Sequence, residues 1–217
     1  MPRRILGLFA SFYMVIAALM PSDAGAAALD GPTAEALVRS AVADASASFA
    51  GGPFTREQTR AKVAALVEKY ADITFESELI LGRYWRKATP EQQGTFSSLL
   101  IPFFVATYGS LMDNAPVRPE MVFLGTETRA DAFVVHTKLK PSVDDEVNLD
   151  FVVLQSPAGK AVISDATAEG VALVTTIRSD FTSVIRNAGG NIAVLLDAMR
   201  KKIDAPPPAP PASGNPG

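Results

Sequence analysis

The sequence lacks cysteine altogether and has one histidine and one tryptophan among its 217 residues. Without cysteine the chain has no disulfides, no thiolate nucleophile and no thiolate metal ligand, so its stability must come from a packed core. An excess of positive charge is missing as well, because 20 Lys and Arg stand against 23 Asp and Glu, a net charge of -3. No basic field is available to hold a phosphate backbone, and we expect no nucleic-acid partner.

Catalytic and metal-binding motifs are also missing. The sequence contains no HExxH, GxSxG, GxGxxG or Walker pattern, and the single histidine, His136, has no partner at a motif spacing. We interpret His136 as a surface or edge-strand residue. The acidic run 144–146 lacks the alternating oxygens and the glycine of a calcium loop, so it is better explained as a charged hairpin turn. We therefore expect no catalytic residue, no metal site and no cofactor.

Both ends of the chain differ in composition from its centre. Residues 1–28 have the layout of a secretory signal peptide, with Arg3 and Arg4 before a 16-residue apolar run and several small residues after it. The run is short for a spanning helix of about 20 residues, although an uncleaved anchor is an alternative. Residues 205–217 contain six of the 16 prolines, which predicts a disordered tail, or alternatively a docking peptide. One folded domain, 29–204, lies between them.

The first half of this domain reads as helical. Apolar residues recur at helical spacing, and two starts are well marked: Thr55 with Gln58 forms a capping box, and Thr89 precedes Pro90, an acid and a glutamine. Pro102 falls within the last helix and predicts a bend there. The predicted helices cover residues 33–49, 55–70, 75–86 and 89–112.

From residue 117 onward the apolar period changes to two, which indicates strands. Short turns join the strands, so neighbours are antiparallel. The predicted strands cover residues 121–127, 133–139, 147–153 and 161–165. A segment at 170–176 and helices at 179–187 and 191–203 complete the chain. We predict an α+β fold in which helices pack on a curved antiparallel four-stranded sheet.

Large apolar side chains concentrate on the predicted long helix that faces this sheet. An ordinary core explains them as well as a pocket for acyl chains does, because both need only hydrocarbon burial, at about 0.8 kcal/mol per methylene. Composition and periodicity leave the two interpretations open.

Two sequence blocks favour the pocket. Residues 81–92 read LGRYWRKATPEQ, and Asp165 is followed by AEGVALV at 168–174 and RSDF at 178–181. Together they resemble the MlaC family of periplasmic lipid carriers, also called the toluene-tolerance family. Some positions depart from the family pattern: Gly159-Lys160 stands where an aromatic residue is usual, and Ala172 replaces a serine. These departures resemble the hopanoid-associated HpnM branch.

The resemblance implies a monomeric, non-enzymatic shuttle in the periplasm of a Gram-negative bacterium. Its expected ligand is a phospholipid or a hopanoid, held in an apolar pocket. Its implied partners are an inner-membrane ABC permease with an MCE-domain subunit and an outer-membrane lipoprotein complex. Arg83, Arg86 and Lys87 are candidates for the pocket rim or a partner contact, and Trp85 is expected in the core. The predicted lipid-binding residues are Phe75, Leu79, Tyr84, Phe96, Leu100, Phe103, Phe104, Val122, Leu149, Phe151, Val171, Leu173 and Phe181.

Two other classes of function remain as alternatives. An enzyme could use Asp150 or Glu169 as a base beside Tyr84 or Tyr108, which requires a carboxylate of raised pKa facing a pocket. A structural adaptor whose tail recruits a partner would instead have a solid core without a cavity.

Overall fold

The computed structural model describes residues 28–113, 120–140 and 146–206. Almost all of the predicted signal peptide and tail lies outside these ranges. The described helices are α1 (Gly31–Phe49), α2 (Arg56–Tyr70), α3 (Ile73–Leu81), a 3-10 helix (Gly82–Lys87), α4 (Pro90–Asp113), α5 (Leu173–Asn187) and α6 (Ile192–Asp204). The described strands are β1 (Glu120–Arg129), β2 (Ala132–Lys140), β3 (Val147–Gln155), β4 (Ala161–Ala168) and β5 (Val171–Ala172).

The strands form one antiparallel sheet in the order β1-β2-β3-β4-β5. Its register shifts between Phe123 and Gly125 in β1 and between Val152 and Val153 in β3, and such irregularities bend strands and increase their twist. The predicted α+β class and the curved meander are confirmed, but the sheet has five strands rather than four. β2 lies between β1 and β3, so His136 is not on an edge strand.

The segment after β4 also differs from the prediction. Glu169 and Gly170 both have positive φ, at 46° and 80°, and form a tight turn into β5. Helix α5 then begins at Leu173, although 171–177 is rich in β-branched residues that favour a strand. Its N-cap residue, Ala172, has no capping side chain. Asp165 of β4 takes over that role, because its Oδ1 accepts hydrogen bonds from the amides of Val174 at 2.9 Å and Ala166 at 2.8 Å.

The buried side chains form two clusters. In the first, Ala34 and Val38 of α1 pack against Val135 and Val153 on the sheet. The second lies among the helices, and its buried members are Ile80, Leu81, Tyr84, Phe96, Leu100, Ile177, Phe181, Ile185, Ile192, Leu195, Leu196 and Met199. Helix α2 is held to α1 by Asp44, whose Oδ2 accepts from the Tyr70 hydroxyl at 2.6 Å and pairs with the Lys69 ammonium group. One cluster therefore joins α1 to the sheet, and the other lies among α3, the 3-10 helix and α4 to α6.

The two sequence blocks noted above meet within the helical cluster. Gly82 ends α3 with a φ of 52°, and a Cβ there would lie 3.0 Å from the Arg178 guanidinium group of α5. The rings of Phe96 and Phe181 pack edge to face, with centroids 5.8 Å apart. Glycine is thus favoured at position 82 by its backbone conformation, and a larger residue would also displace the end of the Arg178 side chain.

The start of α4 gives a test of the sequence prediction. The Gln92 amide donates to the Thr89 hydroxyl at 3.2 Å, and the Thr89 amide donates to the Gln92 side chain at 3.0 Å. Thr89→Ala is expected to lower the free energy of unfolding by about 1 kcal/mol, because two helix-terminal amides lose or weaken their partners. Urea unfolding measures the loss. Thr89→Ser keeps the hydroxyl, and an equal loss in that variant would contradict the capping explanation.

Pro102 lies inside α4, which continues from Pro90 to Asp113. The bend expected there stays a prediction. Among the residues the structure describes, no helix is both long enough and apolar enough to cross a membrane.

Candidate functional site

A cavity of about 210 Å³ lies between the helices and the sheet. It is walled by α2, α3, α4 and α5 on the helical side and by β3 and β4 on the other. Fourteen of its seventeen lining residues are apolar, and the other three are Glu76, Ser164 and Asp165. The apolar lining residues are Val63, Val67, Ala71, Ile73, Ile80, Leu100, Ile101, Phe104, Phe151, Ile163, Ala166, Leu173, Val174 and Ile177. Such a lining suits a hydrocarbon ligand with few polar contacts.

The predicted lipid-binding residues divide among several places. Leu100, Phe104, Phe151 and Leu173 line the cavity. Tyr84, Phe96 and Phe181 are buried in the helical cluster, where Phe103 packs against them. Phe75, Leu79, Val122 and Leu149 are half-buried and do not line this cavity, and Val171 is 62% exposed. Contact with a lipid stays a prediction for all of these residues. The geometry favours the four that line the cavity.

The basic residues near the end of α3 lie outside the cavity lining. Arg83 is exposed and covers the ring of Tyr84, with its guanidinium carbon 4.9 Å from the ring centroid and a 3.0 Å hydrogen bond to the hydroxyl. Arg86 and Lys87 are exposed in the last turn of the 3-10 helix. Trp85 packs against the helical cluster. A rim or partner role for these cations therefore stays a prediction.

Sequence reasoning missed most of the cavity wall. Val63 and Val67 lie four residues apart on one face of α2, but nothing in that spacing says that this face borders a cavity. Helix α3 held a clearer signal: Ile73, Glu76 and Ile80 have spacings of three and four, which places a carboxylate on the apolar face of the helix. An acidic residue on an apolar helix face often marks a functional site, so the sequence alone could have pointed to Glu76.

Glu76 is the most unusual polar group of the cavity. It is 6% exposed, and neither of its carboxyl oxygens has a hydrogen-bond partner among the described residues. Burial, together with the negative charges of Asp165 and Asp72, raises its pKa from the ordinary value of 4.5 to about 8. The carboxyl group is therefore neutral at neutral pH.

Asp165, the second acid in the wall, has a structural role. Its Oδ1 holds the amides of Ala166 and Val174, and its Oδ2 accepts from the Thr175 hydroxyl at 3.3 Å. These contacts join β4 to the N-terminus of α5, where a negative charge is favourable. The two acids thus differ: Asp165 is satisfied by the protein, and Glu76 is not.

The titration of Glu76 predicts a pH-dependent stability. Between about pH 4.5 and pH 8 the unfolded chain releases the Glu76 proton while the folded chain retains it, so a rising pH favours unfolding. The free energy of unfolding of the wild type, minus that of Glu76→Gln, is expected to fall as the pH rises. The expected slope is up to about 1.4 kcal/mol per pH unit across this window. Urea unfolding of both proteins at several pH values measures the slope.

Glu78→Gln is the matched control, because Glu78 is exposed on the same helix. If this variant changes the slope as much as Glu76→Gln does, the pH dependence does not arise from the cavity.

The candidate bases of the enzyme alternative do not line this cavity. Asp150 lies on the sheet, where its carboxylate is 3.0 Å from Nδ1 of His136, and Glu127 approaches the other ring nitrogen at 3.4 Å. Glu169 is exposed in the turn before β5 and accepts a hydrogen bond from the Asn148 amide. The structure therefore gives no support to a catalytic pair built on Asp150 or Glu169.

A second depression, of about 420 Å³, lies at the start of α1 beside β1. Its six lining residues include Glu35 and Arg39, which form an ion pair at 2.7 Å. Pro32, Ala36 and Arg39 are exposed there. Its charged, solvent-facing lining makes it a poorer match for hydrocarbon than the cavity between the layers.

Comparisons with known proteins identify the fold and the family. A solved structure from Ralstonia solanacearum, described as a phospholipid-binding protein in complex with a phospholipid, is similar to this chain, with a TM-score of 0.66 and 28% sequence identity. The match covers 78% of this chain and 96% of the Ralstonia chain. The sequence model of the MlaC protein family matches residues 36–201, which is more than half of the chain and contains every helix and strand from α2 to α5. This chain therefore belongs to the MlaC family.

Proposed function

We propose that this protein is a periplasmic lipid carrier that binds phospholipid in the cavity between its helices and its sheet. The observation that carries the proposal is the cavity wall, with fourteen apolar residues and a position between the helices and the sheet. The similar Ralstonia protein, which was solved with a phospholipid, supports the choice of ligand. Such a wall suits hydrocarbon, and binding and transport is the function that we propose for it.

The size of the cavity adds a condition to this proposal. At about 210 Å³ it is smaller than the roughly 300–1,000 Å³ of pockets for drug-sized ligands. A lipid with two acyl chains therefore requires the walls to separate. Such a separation is a movement of the packed helices against the sheet.

The transport role follows from the family and from the predicted export signal. We propose that residues 1–28 direct the chain to the periplasm, and that the mature protein carries lipid between the outer and inner membranes. Its proposed partners are the outer-membrane lipoprotein complex and the inner-membrane ABC permease with its MCE-domain subunit. A soluble carrier is needed there because an acyl chain crossing water alone loses about 0.8 kcal/mol for every exposed methylene.

Native mass spectrometry of the purified mature protein tests the proposal. We expect a bound species with the mass of a phospholipid, and after delipidation we expect the protein to take up phospholipid from vesicles. Identification of the extracted lipid also separates phospholipid from hopanoid, the ligand of the alternative branch. Absence of any co-purified lipid, together with no uptake after delipidation, would refute the carrier function.

The adaptor alternative predicts a solid core, and the cavity described above argues against it. An adaptor would show no lipid in the same experiment and would retain its partner when the cavity is filled by a larger side chain.

A further inference from the structure

Glu76 is a carboxylic acid placed in the middle of an apolar wall. Ile73 and Ile80 flank it on the same face of α3, and all three line the cavity. The residue is 6% exposed, and the part of the chain that the structure describes offers neither carboxyl oxygen a hydrogen-bond partner. A buried polar group without a partner destabilises the folded state. Glu76 therefore points to a hydrogen-bond partner supplied from outside the chain.

The groups around Glu76 determine its protonation. Asp165 faces it from β4, and Asp72 lies at the N-terminus of its own helix; both carry negative charge. Asp165 binds backbone amides of β4 and α5, and Asp72 accepts from the Phe75 amide at 3.1 Å. Lys160 reaches the end of α2, where its ammonium group donates to the Ala71 carbonyl.

The remaining elements around the cavity contribute hydrocarbon. Helices α2, α4 and α5 line it with apolar residues alone, so within the described cavity wall no cation faces Glu76. With burial and two carboxylates opposing its ionisation, Glu76 is protonated at neutral pH. A neutral carboxyl group has one O–H donor, whereas an ionised one only accepts.

An acyl lipid offers a suitable acceptor. Its buried part is hydrocarbon except for the ester carbonyl groups that join the chains to glycerol, and a carbonyl oxygen accepts but does not donate. We propose that Glu76 donates a hydrogen bond from its carboxyl group to an ester carbonyl oxygen of the bound lipid, and so favours ester-linked over ether-linked chains. This inference rests on the proposed function and names the contact that selects the ligand.

Two lipids that differ only in this acceptor test the inference. Dipalmitoylphosphatidylglycerol has two ester carbonyls, and its dihexadecyl ether analogue has none. We expect delipidated wild-type protein to bind the ester lipid about fivefold more tightly than the ether lipid at about pH 6.5, the ratio typical of one net hydrogen bond. Competition between the two lipids, read by native mass spectrometry, gives the ratio directly.

Variants of Glu76 separate the donor from the shape of the side chain. Glu76→Gln keeps an N–H donor and should retain the preference, whereas Glu76→Leu removes the donor and should bind both lipids equally. Raising the pH to about 9 ionises Glu76 and should abolish the preference in wild type, but Glu76→Gln should be unaffected. A purely structural role for Glu76 would not produce this difference in pH dependence.

The outcomes are distinct. If wild type binds both lipids equally, or if Glu76→Leu keeps the full preference, the inference is overturned while the carrier function stands. If wild-type protein binds neither lipid, the proposed function itself fails, and the inference fails with it.

Discussion

Ala166→Phe is expected to weaken phospholipid binding about a hundredfold while leaving the protein folded. Ala166 lines the cavity from β4, opposite Phe151 on the neighbouring strand. A phenyl ring there occupies space that hydrocarbon would otherwise fill. Exclusion of about four methylene groups from the cavity costs about 3 kcal/mol, which corresponds to about two orders of magnitude in dissociation constant. Lipid uptake from vesicles, measured on delipidated protein, gives the change.

Ala168→Phe is the matched control for this variant. Ala168 lies on the same strand but is exposed and does not line the cavity. Its replacement should change lipid binding by less than about twofold, because the added ring lies in solvent. If both variants bind lipid as wild type does while remaining folded, the cavity is not the binding site.

Phe96→Ala is expected to lower the free energy of unfolding by about 3–5 kcal/mol, because a large buried ring is replaced by a cavity. Phe96 is fully buried in the helical cluster and packs edge to face on Phe181, with ring planes at 83°. Urea unfolding followed by circular dichroism measures the loss. Leu124→Ala is the control, since Leu124 is 58% exposed, and its effect should stay within about 0.5 kcal/mol.

The Phe96 variant also tests the separation of core from binding site. Phe96 was predicted as a lipid contact, but it lies in the helical cluster and does not line the cavity. We expect Phe96→Ala to keep its lipid affinity at temperatures where it remains folded. A loss of affinity as large as that of Ala166→Phe, in protein that is still folded, would place Phe96 at the ligand instead.

The fold was largely predictable because its signals are local. Thr55 and Thr89 mark helix starts through hydrogen bonds to residues three positions away, and both bonds are present in the structure. Alternation of apolar residues predicted four strands and their antiparallel order, which depends on short turns between them. These features involve neighbours in sequence, so the sequence alone can specify them.

The start of α5 shows where local signals fail. Val174, Thr175, Thr176 and Ile177 are β-branched, and their propensity favours a strand. Asp165, nine residues before Val174, supplies the cap that the adjacent Ala172 lacks. A contact between two elements therefore overrides the propensity of the segment. Because Asp165 lies on β4, outside this segment, the residues of the segment do not by themselves predict the helix.

The sequence by itself determined the α+β class, most helix starts, and the two blocks that resemble the MlaC family. It also determined which faces are apolar, but the same large side chains can serve a core or a pocket. Only the tertiary structure decided which large side chains line the cavity and which fill the core. Phe104 faces the cavity, whereas Phe96 packs on Phe181. The tertiary structure also placed Glu76 in the cavity wall without a partner. The physical reason is that periodicity identifies the buried face of a helix, but what lies across that face depends on the packing of the other elements.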